Sequence, residues 1–149
     1  MPFYVRAVTV PANTPPEEPV EVGLSVEGDI LERVGFLFPP GCCCLAGIQL
    51  RYGEDLILPE EEGTWIVGDS ESFWAHLSWE LPEHPCPLRL LAYNEDTYYD
   101  HTIYVRVQTL HLRELEPRGL WARFLRAGLA FFERVVGVRP LRARGVRRR

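Results

Sequence analysis

Cys42-Cys43-Cys44, Cys86 in a Pro-Cys-Pro context and the neighbouring His84 are the residues whose types could ligate a metal or close a disulfide. Zinc takes thiolate and imidazole ligands in a tetrahedron, usually from paired Cys-x-x-Cys spacing, which this chain lacks. If the triplet is an extended strand, only Cys42 and Cys44 share a face, so three consecutive thiols cannot all meet one ion. Cys42, Cys44, His84 and Cys86 are therefore weak candidates for a zinc site. A disulfide to Cys86 is a second reading, and free thiols packed as small hydrophobes a third, simpler one. The expectation is no metal and no cofactor.

A second cluster is the acidic turn Asn94-Glu95-Asp96 with Asp100 and His101, whose oxygens suit a hard cation. The spacing fits no EF-hand loop, and short polar side chains capping a turn account for it equally. His76 and His111 stand alone on strands and read as structural. No GxSxG, Walker or HExxH pattern is present, so no catalytic residue is assigned and a non-enzymatic role is expected. Trp65, Phe73, Trp74, Trp79, Tyr98 and Tyr99 could line a sugar-binding face, or serve the core and subunit contacts.

The elements that must carry these residues are mostly strands. Around the acidic turn, Leu88–Leu110 reads as two strands of a hairpin. Leu88, Leu90 and Ala92 fall on one face of the first, and Ile103, Val105 and Val107 on one face of the second. Phe3–Val10 is a first strand. Residues 11–19 hold four prolines in nine positions, an extended connector unfit for a central ladder. Val20–Glu27 and Ile30–Phe38 form a predicted hairpin across Gly28-Asp29, the second strand placing Ile30, Glu32, Val34, Phe36 and Phe38 together. Leu45–Tyr52 and Asp55–Leu58 form another across Gly53-Glu54, and Trp65–Val67 and Phe73–Leu81 complete a set of eight to ten short strands. That spacing predicts an all-β domain, a β-sandwich or jelly roll, over residues 1–112. Val22, Leu24, Val34, Phe36, Leu90, Ile103, Val105 and Val107 are the expected core.

After Leu110 the period changes. From Pro117 to Val136 the apolar residues occupy half a helical wheel, with Arg123, Arg126, Glu133 and Arg134 opposite, which predicts an amphipathic α-helix. Residues 113–149 thus comprise this helix and an Arg-rich tail. Leu120, Trp121, Phe124, Leu125, Leu129, Phe132 and Val136 are its candidate interface. Arg142, Arg144, Arg147, Arg148 and Arg149 are candidates to contact nucleic acid or an anionic membrane surface.

Composition adds a charge division. All 16 basic residues are Arg, and the net charge is −5. Residues 1–116 hold 6 Arg against 20 Asp and Glu, or −14, while residues 117–149 hold 10 Arg against one Glu, or +9. An acidic body and a basic tail are two interaction surfaces on one chain. Absence of Lys and scarcity of Asn, Gln and Met suggest a GC-rich thermophile. No apolar run approaches the roughly 20 residues needed to span a bilayer. The N-terminus lacks a signal-peptide layout, so synthesis in the cytoplasm is expected.

Val10–Pro15 (VPANTP), Phe36–Ala46 (FLFPPGCCCLA) and Ala92–Val107 (AYNEDTYYDHTIYVRV) together resemble a group of small all-β proteins encoded among prokaryotic virus and provirus structural genes. The similarity spans residues 8–108. Cys43 and Cys44 replace small or apolar residues of that pattern, and Tyr98-Tyr99 depart from its Tyr-Pro. The resemblance implies a virion accessory subunit, of capsid-decoration or head-associated type. Its implied partners are its own copies, with a trimer favoured, and a major capsid protein or other virion component. The competing expectation is a carbohydrate- or surface-binding β-sandwich module, membrane-associated through the C-terminal helix.

Overall fold

A computed structural model describes residues 1–112; the predicted helix with its interface residues, and the arginine tail, lie outside them. Alternating apolar residues build nine strands here: β1 (Phe3–Val10), β2 (Val20–Val26), β3 (Ile30–Phe38), β4 (Ala46–Tyr52), β5 (Asp55–Leu58), β6 (Ile66–Val67), β7 (Glu71–Glu80), β8 (Cys86–Asn94) and β9 (His101–Leu110). They form two antiparallel sheets in a β-sandwich-like arrangement. One runs β1-β9-β3-β7; the other runs β2-β8-β4-β5, with β6 also on β4. Strands β5 and β6 share one edge of β4, pairing with its C-terminal and N-terminal ends respectively. Among the described residues no helix is long and apolar enough to cross a membrane.

The inward rows of both sheets meet in one core. Val34, Phe36, Ile103, Val105 and Val107 come from the four-stranded sheet, Leu24, Ile48, Leu50, Leu88 and Leu90 from the five-stranded one. Each such aliphatic or aromatic side chain contributes about 1.5–3 kcal/mol by leaving water. Phe73 of β7 closes one side, its ring 5.7 Å from Phe36 and 6.5 Å from Phe38. Val22 departs from expectation and is only half-buried, because β2 is an edge strand.

Two expected hairpins are instead crossings between sheets. Strand β2 pairs with β8, whereas β3 lies between β9 and β7, so Gly28-Asp29 carries the chain from one layer to the other. The Asp29 N–H donates to Leu110 O at 2.8 Å, fastening that crossing to the end of β9. Likewise β8 and β9 lie in different sheets, joined over the end of the sandwich by residues 95–100. Alternation cannot separate the two cases. A strand buries the same parity of residues whether its successor lies beside it or opposite it. The β4–β5 pairing across Gly53-Glu54 is the hairpin expected.

Strand β3 also corrects its predicted face. Leu31, not Glu32, is fully buried, and the ladder slips between Leu31 and Arg33. Opposite β9, Thr109 pairs with Leu31 and Gln108 with Arg33, leaving Glu32 as the extra residue of a bulge. The bulge keeps both Leu31 and Val34 in the core without turning Arg33 inward. Glu32 Oε2 is buried there with no hydrogen-bond partner among the described residues.

Candidate interaction surfaces

The three segments that carry the viral resemblance converge at one end of the sandwich. Thr14 and Asn94 exchange backbone hydrogen bonds, Asn13 N–H donates to Asp96 O, and Glu95 N–H donates to Leu45 O. The Asn94 side chain is fully buried, donates to Val10 O and Tyr99 O, and accepts from the Asp96 N–H. Asp96 Oδ1 accepts from the N–H groups of Tyr98 and Tyr99, and Oδ2 lies 2.9 Å from His101 Nε2. These bonds, the Tyr98 N–H first, hold the Asp96 carboxyl below its ordinary range. Asp100 Oδ1 accepts from Ala12 N–H at 2.9 Å. Asn94 Oδ1, both Asp96 oxygens and Asp100 Oδ1 are therefore engaged with the protein's own groups. Among the described residues no group of three or more His, Cys, Asp or Glu side chains is arranged to hold a metal ion.

The cysteines do not form the extended strand that the metal argument assumed. Leu45 N–H donates to Cys42 O at 2.7 Å, closing a turn whose central residues, Cys43 and Cys44, have φ of 45° and 59°. Both are exposed, while Cys42 faces the core. Asp69 Oδ1 caps the segment, accepting from Gly41 N–H and Cys43 N–H. Cys86 opens β8, and Asn94, next to the cysteine turn, closes it. Eight residues of strand, roughly 26 Å, separate the two thiol sites. All four cysteines are free. Burial, then the negative charge of Asp69, pushes the Cys42 thiol up to about 11, and burial raises Cys86 as well, so both remain protonated and unreactive at neutral pH. His84 points instead to Asp29, 3.8 Å away, which also has His111 at 3.7 Å. His76 is exposed on β7.

The predicted aromatic face is divided among four places. Phe73 and Trp79 pack on the core, with Trp79 5.7 Å from Tyr52. Tyr98 and Tyr99 stand exposed at the tip of the turn after β8. Trp74 and Trp65 lie on the outer faces of opposite sheets, and each defines a surface.

On the four-stranded sheet, the central outward rows of the ladder are Val5–Arg106–Gly35–Trp74, Phe3–Gln108–Arg33–His76 and Ala7–Tyr104–Leu37–Ser72, with the exposed Glu80 further along β7. Phe3 is 54% and Val5 56% exposed. The Phe3 and Trp74 rings, from the two edge strands, meet above the inner strands at 6.5 Å, and the Arg33 guanidinium lies 4.8 Å over Trp74. Gly35 makes room, since a Cβ there would sit 2.8 Å from the indole. These rows contain two arginines and no carboxylate, within a body of strongly negative charge. Apolar residues at both parities of FYVRAVTV were the legible signal for this face; the sequence reading missed it.

On the five-stranded sheet, Trp65 stands edge-on to Tyr93 at 4.9 Å, and Tyr93 covers Gly47, where a Cβ would lie 2.4 Å from the phenol ring. Beside them is an open depression of about 320 Å³, with Gln49 and Leu91 among its lining and Pro16 and Pro19 contributing from the connector. Arg51 and Arg89 are direct cross-strand partners. Arg51 donates to Gln49 Oε1, Glu54 O and Glu62 Oε1. Arg89 grips both oxygens of Glu21 at 2.7 Å and also reaches Gly53 O and Glu54 Oε1. The bidentate bond holds the Glu21 carboxyl below its usual range and raises the guanidinium. No sequence signal points to this set, because its members are brought together only by strand register.

The candidate contact residues Leu120, Trp121, Phe124, Leu125, Leu129, Phe132 and Val136, and Arg142, Arg144 and Arg147 to Arg149, lie outside the described residues. Comparison of the chain with protein families, with characterised proteins and with solved structures gives no match.

Proposed function

We propose that this chain is a non-enzymatic assembly subunit, a virion accessory protein of capsid-decoration or head-associated type from a thermophilic virus or provirus. It associates with its own copies, as a trimer, and seats on a shell through apolar sheet contacts. One observation carries this reading: the outer patch of the four-stranded sheet made by exposed Phe3, Val5 and Tyr104 with half-buried Trp74, whose three rows hold no carboxylate. Apolar residues projecting from a sheet into water are a cost that a partner surface removes. The two arginines beside them complement the acidic remainder of a neighbouring copy and set register more than affinity.

The strand order supports a jelly-roll reading of the sandwich. Among the described residues the chain changes sheet at most connections, and the first and last strands there, β1 and β9, are neighbours in one sheet, as in two interlocked Greek keys. Such folds serve both viral capsids and lectins, so architecture alone does not choose between them. The Arg-rich tail adds an electrostatic contact to nucleic acid, anionic lipid or acidic protein.

Sedimentation of the full chain tests the proposal. The wild type is expected to sediment as an oligomer, and the double variant Phe3→Ser, Val5→Ser as a smaller species with unchanged circular dichroism. A wild-type chain that is monomeric at its highest soluble concentration overturns it. A gene neighbourhood of portal, terminase and major capsid genes would support the virion assignment directly.

A further inference from the structure

The depression on the outer face of the five-stranded sheet has a composition unlike the assembly face. It combines a tryptophan, a leucine and two proline rings with a web of guanidinium, carboxylate and amide groups. Its volume, about 320 Å³, is at the lower end of what small-ligand sites offer. We propose that it binds a neutral saccharide, with Trp65 stacking on a sugar ring and Arg51 and the neighbouring carboxylates hydrogen-bonding its hydroxyls.

Charge decides the ligand class. Two guanidiniums face three carboxylates, Glu21, Glu54 and Glu62, so the site carries no net attraction for phosphate, sulfate or uronate. The same guanidiniums disfavour a cation. What remains is a mosaic of donors and acceptors close together, which a hydroxyl matches because it both donates and accepts.

Several groups keep capacity for a ligand. Of the five N–H groups of Arg51, three are used among the described residues, by Gln49, Glu54 and Glu62. Glu54 and Glu62 are largely exposed, and each has one carboxylate oxygen in these bonds. Arg89 is nearly saturated by Glu21, Gly53 and Glu54, so it is a positioning residue that holds the acidic groups in place.

Preorganisation comes from the fold. Trp65 is braced by Tyr93, and Tyr93 by the absence of a side chain at Gly47. The prolines belong to the connector that Thr14 pins to Asn94. A rigid wall and a braced ring lose little entropy when a ligand is taken up.

The test uses the full chain on an array of neutral and anionic glycans, with hits titrated calorimetrically. A neutral oligosaccharide is expected to bind, with affinity falling about tenfold or more in Trp65→Ala. Arg51→Met is expected to weaken it too, while Tyr98→Ser, at the exposed tip of the turn after β8 and in neither surface, leaves it unchanged. Trp65→Phe preserves a ring against Tyr93 and should retain part of the binding, which covers failure of Trp65→Ala to fold. No neutral glycan bound at millimolar concentration, binding of anionic glycans only, or binding indifferent to Trp65→Phe and Arg51→Met would each overturn the proposal. These readouts are separate from the sedimentation that tests the assembly reading.

Discussion

Thr14 and Asn94, far apart in the chain, donate to each other's carbonyls at 2.8 and 2.9 Å and form an isolated bridge at the end of the second sheet. Around it, the buried Asn94 amide ties the end of β1 to the acidic turn, and the neighbouring Glu95 N–H holds the cysteine turn through Leu45 O. The motif that suggests a family is thus a structural clasp. Removing its centre should be costly, because Asn94→Ala leaves Val10 O, Tyr99 O and the Asp96 N–H without their partner. A loss of about 2–4 kcal/mol is expected from urea denaturation. A loss below about 1 kcal/mol would mean that the clasp is not cooperative.

The same end should loosen in acid. The folded-state pKa of Asp96 is depressed from its ordinary 3.8. Its contribution is therefore complete above that ordinary value and disappears as pH falls through the lower, folded one. Asp96→Asn should flatten this part of the acid-unfolding curve while lowering stability near neutrality. An unchanged acid limb would place the acid sensitivity elsewhere.

Val107 lies in the core between Tyr4 and Val34, fully buried. Val107→Asp puts an unpaired carboxyl there and should cost roughly 3–5 kcal/mol or prevent folding. A well-folded variant of near-native stability would disprove the assigned register.

Gly47→Ala and Gly35→Ala should differ in severity. The Tyr93 ring is pinned beneath Trp65 and is met at 2.4 Å, whereas Trp74 is met at 2.8 Å on a half-open face. Overpacking of roughly 1–3 kcal/mol is expected at Gly47 and less at Gly35. Near-UV circular dichroism should report displacement of Tyr93 and Trp65 in the first variant. The reverse order of stabilities would refute the packing described for these rings.

Salt separates the apolar contacts from the charged tail. Exposed ion pairs give about 0–1 kcal/mol each and are screened, so assembly should survive about 0.5 M salt. Any DNA binding by Arg142, Arg144 and Arg147 to Arg149 should collapse there. Deleting residues 117–149 is expected to leave the β domain folded and to change its association. Assembly that dissolves while DNA binding persists would reverse these roles.

Local alternation determined much by itself: the all-β class, most strand positions, and a set of core residues of which all but Val22 are buried. Ile103, Val105 and Val107 could be read because burial of one strand face needs only a period of two, whatever the neighbour. The Gly53-Glu54 turn does join paired strands, as expected, although the same local signal at Gly28-Asp29 marks a crossing. Only tertiary structure decided which strands pair. Gly28-Asp29 and residues 95–100 cross between layers, and an inward row looks the same from either sheet. It also decided the bulge at Glu32, since a one-residue slip leaves no trace in composition. The candidate site followed the same division. Trp65 and Trp74 stood out as single residues, but their opposite faces, the Phe3–Trp74 contact and the Arg51–Arg89 web depend on register between distant strands. Long-range pairing, not local preference, made those neighbours.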